Sequence, residues 1–194
     1  MIKILKNLLF IFAVTYLISA CNNNKNSIPK PQEPNENELI TTLQLILKEK
    51  SDTTKITTAI FQDLDGEGGK QPTTFDTLRL HPSKIYNVTL LLLDESKNPV
   101  ATISNEVKEE DDEHQLFYTV SGGAQVTFAY TDYDANKVPL GLKTTFTSGT
   151  ATINKTGKVK VVLKHQGADK PKSGQGNASL GSTDIEIDFP VIIK

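Results

Sequence analysis

Apolar side chains recur at every second position from residue 38 onward, rather than at every third or fourth. The first run places Leu43, Leu45 and Leu47 on one side, with Leu39 and Thr41 ahead of them. The residues between them are mixed in polarity. This period predicts a β-strand with one core face and one mixed face, and it argues against an amphipathic helix.

Further runs rich in Val, Ile, Thr, Phe and Tyr follow at short intervals. They predict strands at 55–61, 86–93, 99–105, 115–120, 125–131, 142–147, 158–165 and 183–193. Turn residues separate them, and a long glycine-containing loop runs from Gly167 to Gly181. A short helix is an alternative around 103–113, where Glu, Lys and Asp cluster. Many short strands without a long amphipathic helix predict an all-β, antiparallel sandwich or barrel over residues 39–194.

One stretch, LHPSKIYNV from Leu80 to Val88, narrows the prediction. It resembles the Leu-x-Pro-x-x-x-Tyr-x-Val pattern at the tyrosine corner of fibronectin type III and related immunoglobulin-like sandwiches. The resemblance implies that the turn at Pro82 lets the Tyr86 hydroxyl reach backbone upstream while its ring enters the core. The alternative is an ordinary loop before a strand that starts with tyrosine. We therefore expect an immunoglobulin-like β-sandwich.

The N-terminus has the composition of an export signal. Lys3 and Lys6 precede an apolar stretch, and the small residues Ser19 and Ala20 stand directly before Cys21, the only cysteine. The segment LISAC resembles a bacterial lipobox, which implies cleavage of residues 1–20 as a signal peptide and acylation of Cys21. The alternative, an uncleaved transmembrane helix, needs about 20 apolar residues and finds fewer here.

Residues 21–38 are predicted to form a flexible tether. They are rich in Asn, Pro, Lys and Glu and contain little that could be buried. Some Bacteroidetes-type lipoproteins carry acidic residues directly after the cysteine as a surface-export signal, whereas Asn22-Asn23-Asn24-Lys25 follows Cys21 here. We therefore expect a cell-envelope protein of the outer membrane that faces the periplasm.

Composition excludes some classes of protein. The formal net charge is −2, which argues against a nucleic-acid binder, since such proteins carry a basic stripe or patch. With the single cysteine assigned to lipid, no disulfide and no cysteine metal site is expected.

The first candidate site is the acidic stretch with Asp63, Asp65 and Glu67 followed by glycine. Alternate carboxylates before glycine match the opening of a calcium loop. The closing glutamate of an EF-hand would fall at position 74, which is Thr74. Either the stretch binds Ca²⁺, or it is an Asp-Gly turn with solvated acids.

The second candidate site involves histidine. His114 ends the acidic run 109–113, and it could pair with His165 or His81 across the sandwich to bind a transition metal with an acid nearby. The alternative is a solvated acidic loop, with His114 as the first residue of the next strand. A third acidic loop, 131–137, is explained by a turn with Asx hydrogen bonds. If it lies at the same end of the sandwich as the first loop, the two could form one site.

No nucleophile elbow, zinc-protease motif, phosphate loop or cysteine nucleophile occurs after Cys21. The chain resembles small uncharacterised lipoproteins of flavobacteria, a resemblance carried by 63–69, 113–118, 163–166 and 183–190. We expect a non-enzymatic binding or structural module that uses its end loops, without a cofactor. Its partners would be the membrane, through the lipid, and a protein or small-molecule ligand. The alternative is a calcium- or transition-metal-binding lipoprotein.

Overall fold

The computed structural model describes residues 38–66, 68–151 and 156–194. The predicted signal peptide, Cys21, the tether as far as residue 37, and Glu67 lie outside these ranges. Within them, no helix has the length and apolar character needed to cross a membrane.

The described part of the chain is mostly β-structure, with one short helix, α1 (Ile103–Glu109), and a single 3₁₀ turn, Gly167–Asp169. In chain order the strands are β1 (Thr42–Glu49), β2 (Ile56–Gln62), β3 (Thr74–Phe75), β4 (Leu78–Leu80), β5 (Ile85–Leu93), β6 (His114–Gly122), β7 (Val126–Tyr130), β8 (Lys143–Ser148), β9 (Gly157–His165) and β10 (Ser182–Ile193). The all-β prediction is confirmed.

The strands form two sheets. The six-stranded sheet has the order β3-β2-β1-β5-β8-β7, and the four-stranded sheet has the order β4-β10-β9-β6. The pairs are antiparallel except for β4 with β10, which run parallel. The expectation of a wholly antiparallel structure is therefore wrong at this edge, because β4 returns alongside β10 after a crossover between the sheets.

The core lies between the two sheets. In β1, every second side chain faces this core, as the period of two predicts. Leu43, Leu45 and Leu47 are fully buried on one face. The alternating pattern ends before Leu39, which is 51% exposed, because the strand begins only at Thr42. In the second sheet, buried residues alternate in the same way along β9 and β10.

Aromatic rings join the two sheets at both edges. At one edge, Tyr118 of β6 packs at ring-centroid distances of 5.5 Å from Phe128 and 5.7 Å from Phe146. At the other edge, Phe75 packs 6.1 Å from Phe189 of β10. Edge-to-face ring contacts add directional stabilisation to the burial of area.

The strand predicted at 99–105 is wrong. Ala101 forms only an isolated bridge with Asp94, and the chain then enters α1, the alternative considered for this region. Ile103 and Val107 are separated by one helical turn and are both buried, and the helix packs against β5. Their spacing of four suits a helix as well as a strand, so tertiary packing decides between them. The short strands β3 and β4 were not predicted, since two or three residues carry no detectable period.

The pairing register shows which strand ends lie together. Thr42 at the start of β1 pairs with Gln62 at the end of β2 and with Leu93 at the end of β5. In the other sheet, His114 at the start of β6 pairs with His165 at the end of β9. The side chains of Glu38 and His114 meet, so these strand ends belong to one end of the sandwich, which we call the His114 end.

Candidate functional site

The structure brings two of the three histidines together. His114 and His165 are direct partners on neighbouring strands, and their rings lie 4.4 Å apart at an interplanar angle of 35°. The sequence predicts that they pair across the sandwich. This is wrong, because they lie side by side in one sheet. His81 lies at the opposite end, where its Nδ1 is 3.7 Å from Glu49. It therefore cannot join them.

His114 is enclosed by backbone and carboxylates. Its side chain is 0% exposed, and its Nε2 lies 3.5 Å from Oε1 of Glu38. On the other side of the ring, Nδ1 lies 3.2 Å from the carbonyl oxygen of Glu110 and 3.9 Å from Oε2 of the same residue. A buried imidazole between two glutamates is a donor set suited to divalent metals.

Within the described ranges, one group of side chains meets the geometric requirement for a metal ion. Glu38, Glu110 and His114 each offer one ligand atom, and these atoms all lie within 4.8 Å of one another. We call them the Glu38–Glu110–His114 cluster. Glu38 lies four residues before the start of β1, while Glu110 and His114 flank the turn from α1 into β6. The cluster therefore joins the starts of two strands that belong to different sheets.

Further polar side chains lie beside the cluster. His165 Nε2 lies 3.2 Å from Oε2 of Glu113. The Nδ1 atom of His165 and both carboxylate oxygens of Asp184 are buried without a hydrogen-bond partner among the described residues. Asp184 sits at a register shift between Thr183 and Ile185. Such β-bulges re-aim a side chain and are frequent beside functional sites.

The ionisation of the cluster reflects its burial. Burial, followed by the negative charges of Asp184, Glu106 and Glu110, raises the pKa of Glu38 to about 7. Burial, followed by the neighbouring His165, lowers the pKa of His114 to about 4. Burial also raises the pKa of Asp184 to about 6. In each group the charged form is disfavoured, as expected where buried polar groups lack a counter-ion.

The first acidic loop, between β2 and β3, presents only part of its predicted site. The carboxylate of Asp65 accepts a hydrogen bond from the backbone N–H of Lys70 at 3.0 Å, which is how a turn uses an aspartate. Oδ1 of Asp63 is buried without a partner among the described residues. Glu67 lies outside the description, so the calcium site remains a prediction.

The carboxylates of the loop between β7 and β8 are occupied by backbone donors. Asp132 accepts the N–H groups of Gly141 and Lys143, each at 2.9 Å. Asp134 accepts the N–H groups of Asn136 and Val138 in the same way. The Asx-type turn predicted for 131–137 describes the bonds of Asp134, whereas Asp132 bonds to residues beyond the predicted turn.

The first and third acidic loops leave the six-stranded sheet at the same end, because β2 ends beside Thr42 and β8 begins at that end of β5. They stand at opposite edges of the sheet. No hydrogen bond or ion pair joins them in the ranges that the structure describes. The shared end is present, and the width of the sheet separates the two loops.

Sequence reasoning identified His114 and His165 but missed Glu38 and Asp184. Glu38 was assigned to the end of the tether, yet its side chain is 14% exposed against His114. In a strict alternation Asp184 would face solvent, and only the bulge turns it inward. A carboxylate directly before the first alternating run was the available signal for Glu38.

No protein-family model matches the chain, and neither a curated protein sequence nor a solved structure is similar to it. The features of this protein that bear on function are the geometry of the His114 end and the sequence motifs.

Proposed function

We propose that the protein is a lipid-anchored, extracytoplasmic β-sandwich that acts as a non-enzymatic binding module through the loops at its His114 end. The anchor is inferred from the lipobox-like segment before Cys21. A protein with this anchor would lie on the periplasmic side of the outer membrane. The resemblance to small flavobacterial lipoproteins supports the same placement.

The ligand that the geometry supports best is a divalent cation. The observation that carries this proposal is the buried imidazole of His114, whose Nε2 atom has no hydrogen-bond partner among the described residues and faces the carboxylate of Glu38 at 3.5 Å. Buried polar atoms are normally paired, and an unpaired one in a native structure points to a missing water, proton or ion. The carboxyl groups of Glu38 and Glu110 can supply negative charge to a cation, which would displace the proton that burial favours on Glu38.

An immunoglobulin-like topology is part of the proposal. It is supported by the turn before β5, where the Tyr86 hydroxyl accepts a hydrogen bond of 2.8 Å from the backbone N–H of His81. Such a corner fixes the entry of a strand into a sandwich. It bears on fold and not on the ligand.

Thermal melting tests the cation proposal. The full chain, purified in detergent and stripped with chelator, should melt at a higher temperature when divalent cations are added, because a ligand of the folded state raises stability by RT ln(1 + [L]/Kd). If none of calcium, magnesium, zinc, nickel and cobalt changes the melting temperature, the proposal fails.

Membrane fractionation tests the anchor. The unmodified chain should sediment with the membranes, and a Cys21→Ser chain should be recovered in the soluble fraction, because the sequence has no second cysteine to carry the lipid. Recovery of the Cys21→Ser chain with the membranes would contradict the lipoprotein proposal.

Calcium binding at the first acidic loop is a second candidate, favoured by the buried, unpartnered Oδ1 of Asp63. Without a closing bidentate glutamate, the affinity should match that of extracellular calcium modules, about 10⁻⁴–10⁻³ M. A few millimolar calcium would then add on the order of 1–2 kcal/mol to the free energy of unfolding. An Asp63→Asn/Asp65→Asn double variant should lose this effect. An equal calcium effect in that variant would show that the loop is only a turn.

A further inference from the structure

The two ring nitrogen atoms of His114 have different protonation. A backbone carbonyl next to the ring determines which nitrogen carries the hydrogen. Nδ1 lies 3.2 Å from the carbonyl oxygen of Glu110, and a carbonyl oxygen can only accept a hydrogen bond. Nδ1 therefore carries the ring hydrogen of the neutral imidazole. Nε2 is left with a lone pair, buried and without a hydrogen-bond partner among the described residues.

This lone pair faces another electron-rich atom. Oε1 of Glu38 lies 3.5 Å from Nε2, and the second oxygen of Glu38 is also buried without a partner in the described part of the chain. The lone pairs of Nε2 and Oε1 repel each other at this distance unless a proton or a metal ion lies between them. The choice is between a proton shared by the two groups and a metal ion bound to both.

The separation of the two atoms is the one that a metal requires. A tetrahedral zinc ion with ligands at about 2.0–2.2 Å holds its donor atoms about 3.4 Å apart. The observed 3.5 Å between Nε2 and Oε1 meets this requirement. The carboxylate of Glu110, whose Oε2 lies 3.9 Å from Nδ1, would have to rotate toward Nε2 to become the third ligand. A direct hydrogen bond between an imidazole nitrogen and a carboxyl oxygen would be shorter, at about 2.7–3.2 Å.

We infer that the Glu38–Glu110–His114 cluster binds a divalent transition metal of the zinc class, with Nε2 of His114 and the carboxylates of Glu38 and Glu110 as ligands. This inference rests on the cation-binding function proposed above and names the class of cation. Imidazole nitrogen suits Zn²⁺, Co²⁺, Ni²⁺ and Cu²⁺, whereas Ca²⁺ and Mg²⁺ require a shell of oxygen atoms. A buried imidazole among the donors therefore selects against calcium and magnesium.

The surroundings match those of a bound imidazole. Metal-ligating histidines usually donate their other N–H to a carbonyl or carboxylate, which fixes the ring. In this site the carbonyl of Glu110 accepts the Nδ1 hydrogen, while the side chain of the same residue supplies a ligand atom. The ring of His165, 4.4 Å away, packs against His114 and limits its rotation. Because the side chain of Glu110 is 47% exposed, solvent could reach one coordination position of the metal.

The metal would also connect parts of the chain that are distant in sequence. Glu38 precedes β1 in the six-stranded sheet, while Glu110 and His114 stand before and at the start of β6 in the four-stranded sheet. An ion that binds all of them joins the two sheets at the point where the predicted tether enters the fold. Metal binding is thus expected to stabilise the folded state measurably.

The test measures zinc affinity and melting temperature of the full chain, untagged and in detergent, after removal of metal by chelator. Zinc should raise the melting temperature with a stoichiometry of about one per chain, and calcium should raise it less. Glu110→Gln should weaken zinc binding by about tenfold or more. Because Glu110 is half-exposed, this variant is expected to fold even if His114→Gln does not.

Two matched controls accompany these variants. Glu109→Gln makes the same change of charge one residue away, at an exposed position outside the cluster. His81→Gln removes a histidine that is 61% exposed at the opposite end of the six-stranded sheet. Both should bind zinc as the unmodified chain does.

Several results would overturn the inference. Zinc binding that Glu110→Gln leaves unchanged, or that His81→Gln abolishes, would place the metal elsewhere. Stabilisation by calcium or magnesium but not by zinc, nickel or cobalt would contradict the transition-metal class and leave the proposed cation-binding function intact. If no cation binds, a proton lies between Nε2 and Glu38. The cation-binding function and the transition-metal site then both fail.

Discussion

The backbone N–H of His81 donates a hydrogen bond of 2.8 Å to the hydroxyl of Tyr86. The tyrosine ring is 1% exposed, so the bond is made at the border of the core. It closes the turn that leads into β5, at the end of the sandwich opposite His114. Burial raises the pKa of Tyr86 above its usual value, so the phenol stays neutral.

Removal of this hydroxyl should destabilise the protein. Tyr86→Phe leaves the N–H of His81 without its acceptor, which should lower the free energy of unfolding by about 1–2 kcal/mol. Urea denaturation of the two proteins measures this change in the free energy of unfolding. The matched control is Tyr133→Phe, because Tyr133 is 50% exposed and its hydroxyl donates to the carbonyl of Tyr130 at an exposed position. Equal denaturation midpoints for the two variants would contradict a structural role for the Tyr86 bond.

A buried ion pair fixes the loops near the His114 end. Nζ of Lys170 lies 3.0 Å from Oδ2 of Asp134, with side chains 0% and 1% exposed, and it also donates to the carbonyl of Asp111. Lys170→Met would leave the buried carboxylate of Asp134 without its cation, held by the N–H groups of Asn136 and Val138. The expected loss is about 3–5 kcal/mol of unfolding free energy.

The control for this pair is Lys97→Met, since Lys97 is 65% exposed where it faces Asp94 and should contribute under about 1 kcal/mol. Adding Asp134→Asn to Lys170→Met should restore part of the stability, because the uncompensated charge is then removed. A Lys170→Met protein as stable as the Lys97→Met protein would show that the pair contributes little.

The response to acid should depend on Glu49. Hydrogen bonds from Lys84 and Ser51 are the main causes that lower the pKa of this carboxyl to about 2 from its usual 4.5. A depressed carboxyl pKa stabilises the fold above the unfolded-state value, and the stabilisation is lost as pH falls toward the folded-state value. Stability should therefore decline between about pH 5 and pH 2.

Glu49→Gln should flatten this decline and lower stability at neutral pH. Denaturation midpoints measured across the acid range provide the comparison. Glu109→Gln, with the same change of charge at an exposed position, should keep the slope of the unmodified protein. A Glu49→Gln slope equal to that of the control would refute the assignment.

Much of the fold follows from local sequence. The alternation at Leu43, Leu45 and Leu47 predicts β1 because a strand with one buried face imposes that period. The same reasoning fails at 99–105, where Ile103 and Val107 fit a helical face equally well and packing against β5 decides.

The cluster could be predicted only in part, for a physical reason. His114 and His165 could be singled out by residue type, but their pairing depends on the register of β6 with β9, which no local pattern encodes. The orientation of Asp184 depends on a bulge that breaks the alternation around it. Glu38 belongs to the site because the chain before β1 folds against β6, a contact between residues far apart in sequence.

The most direct measurement of the central claim is anomalous X-ray diffraction at the zinc absorption edge from crystals of the protein grown with zinc. We predict an anomalous peak about 2.0–2.1 Å from Nε2 of His114, with carboxylate oxygens of Glu38 and Glu110 completing the protein ligands. The absence of a peak at this position, or a hydrogen bond that joins Glu38 directly to Nε2 in the presence of zinc, would contradict it.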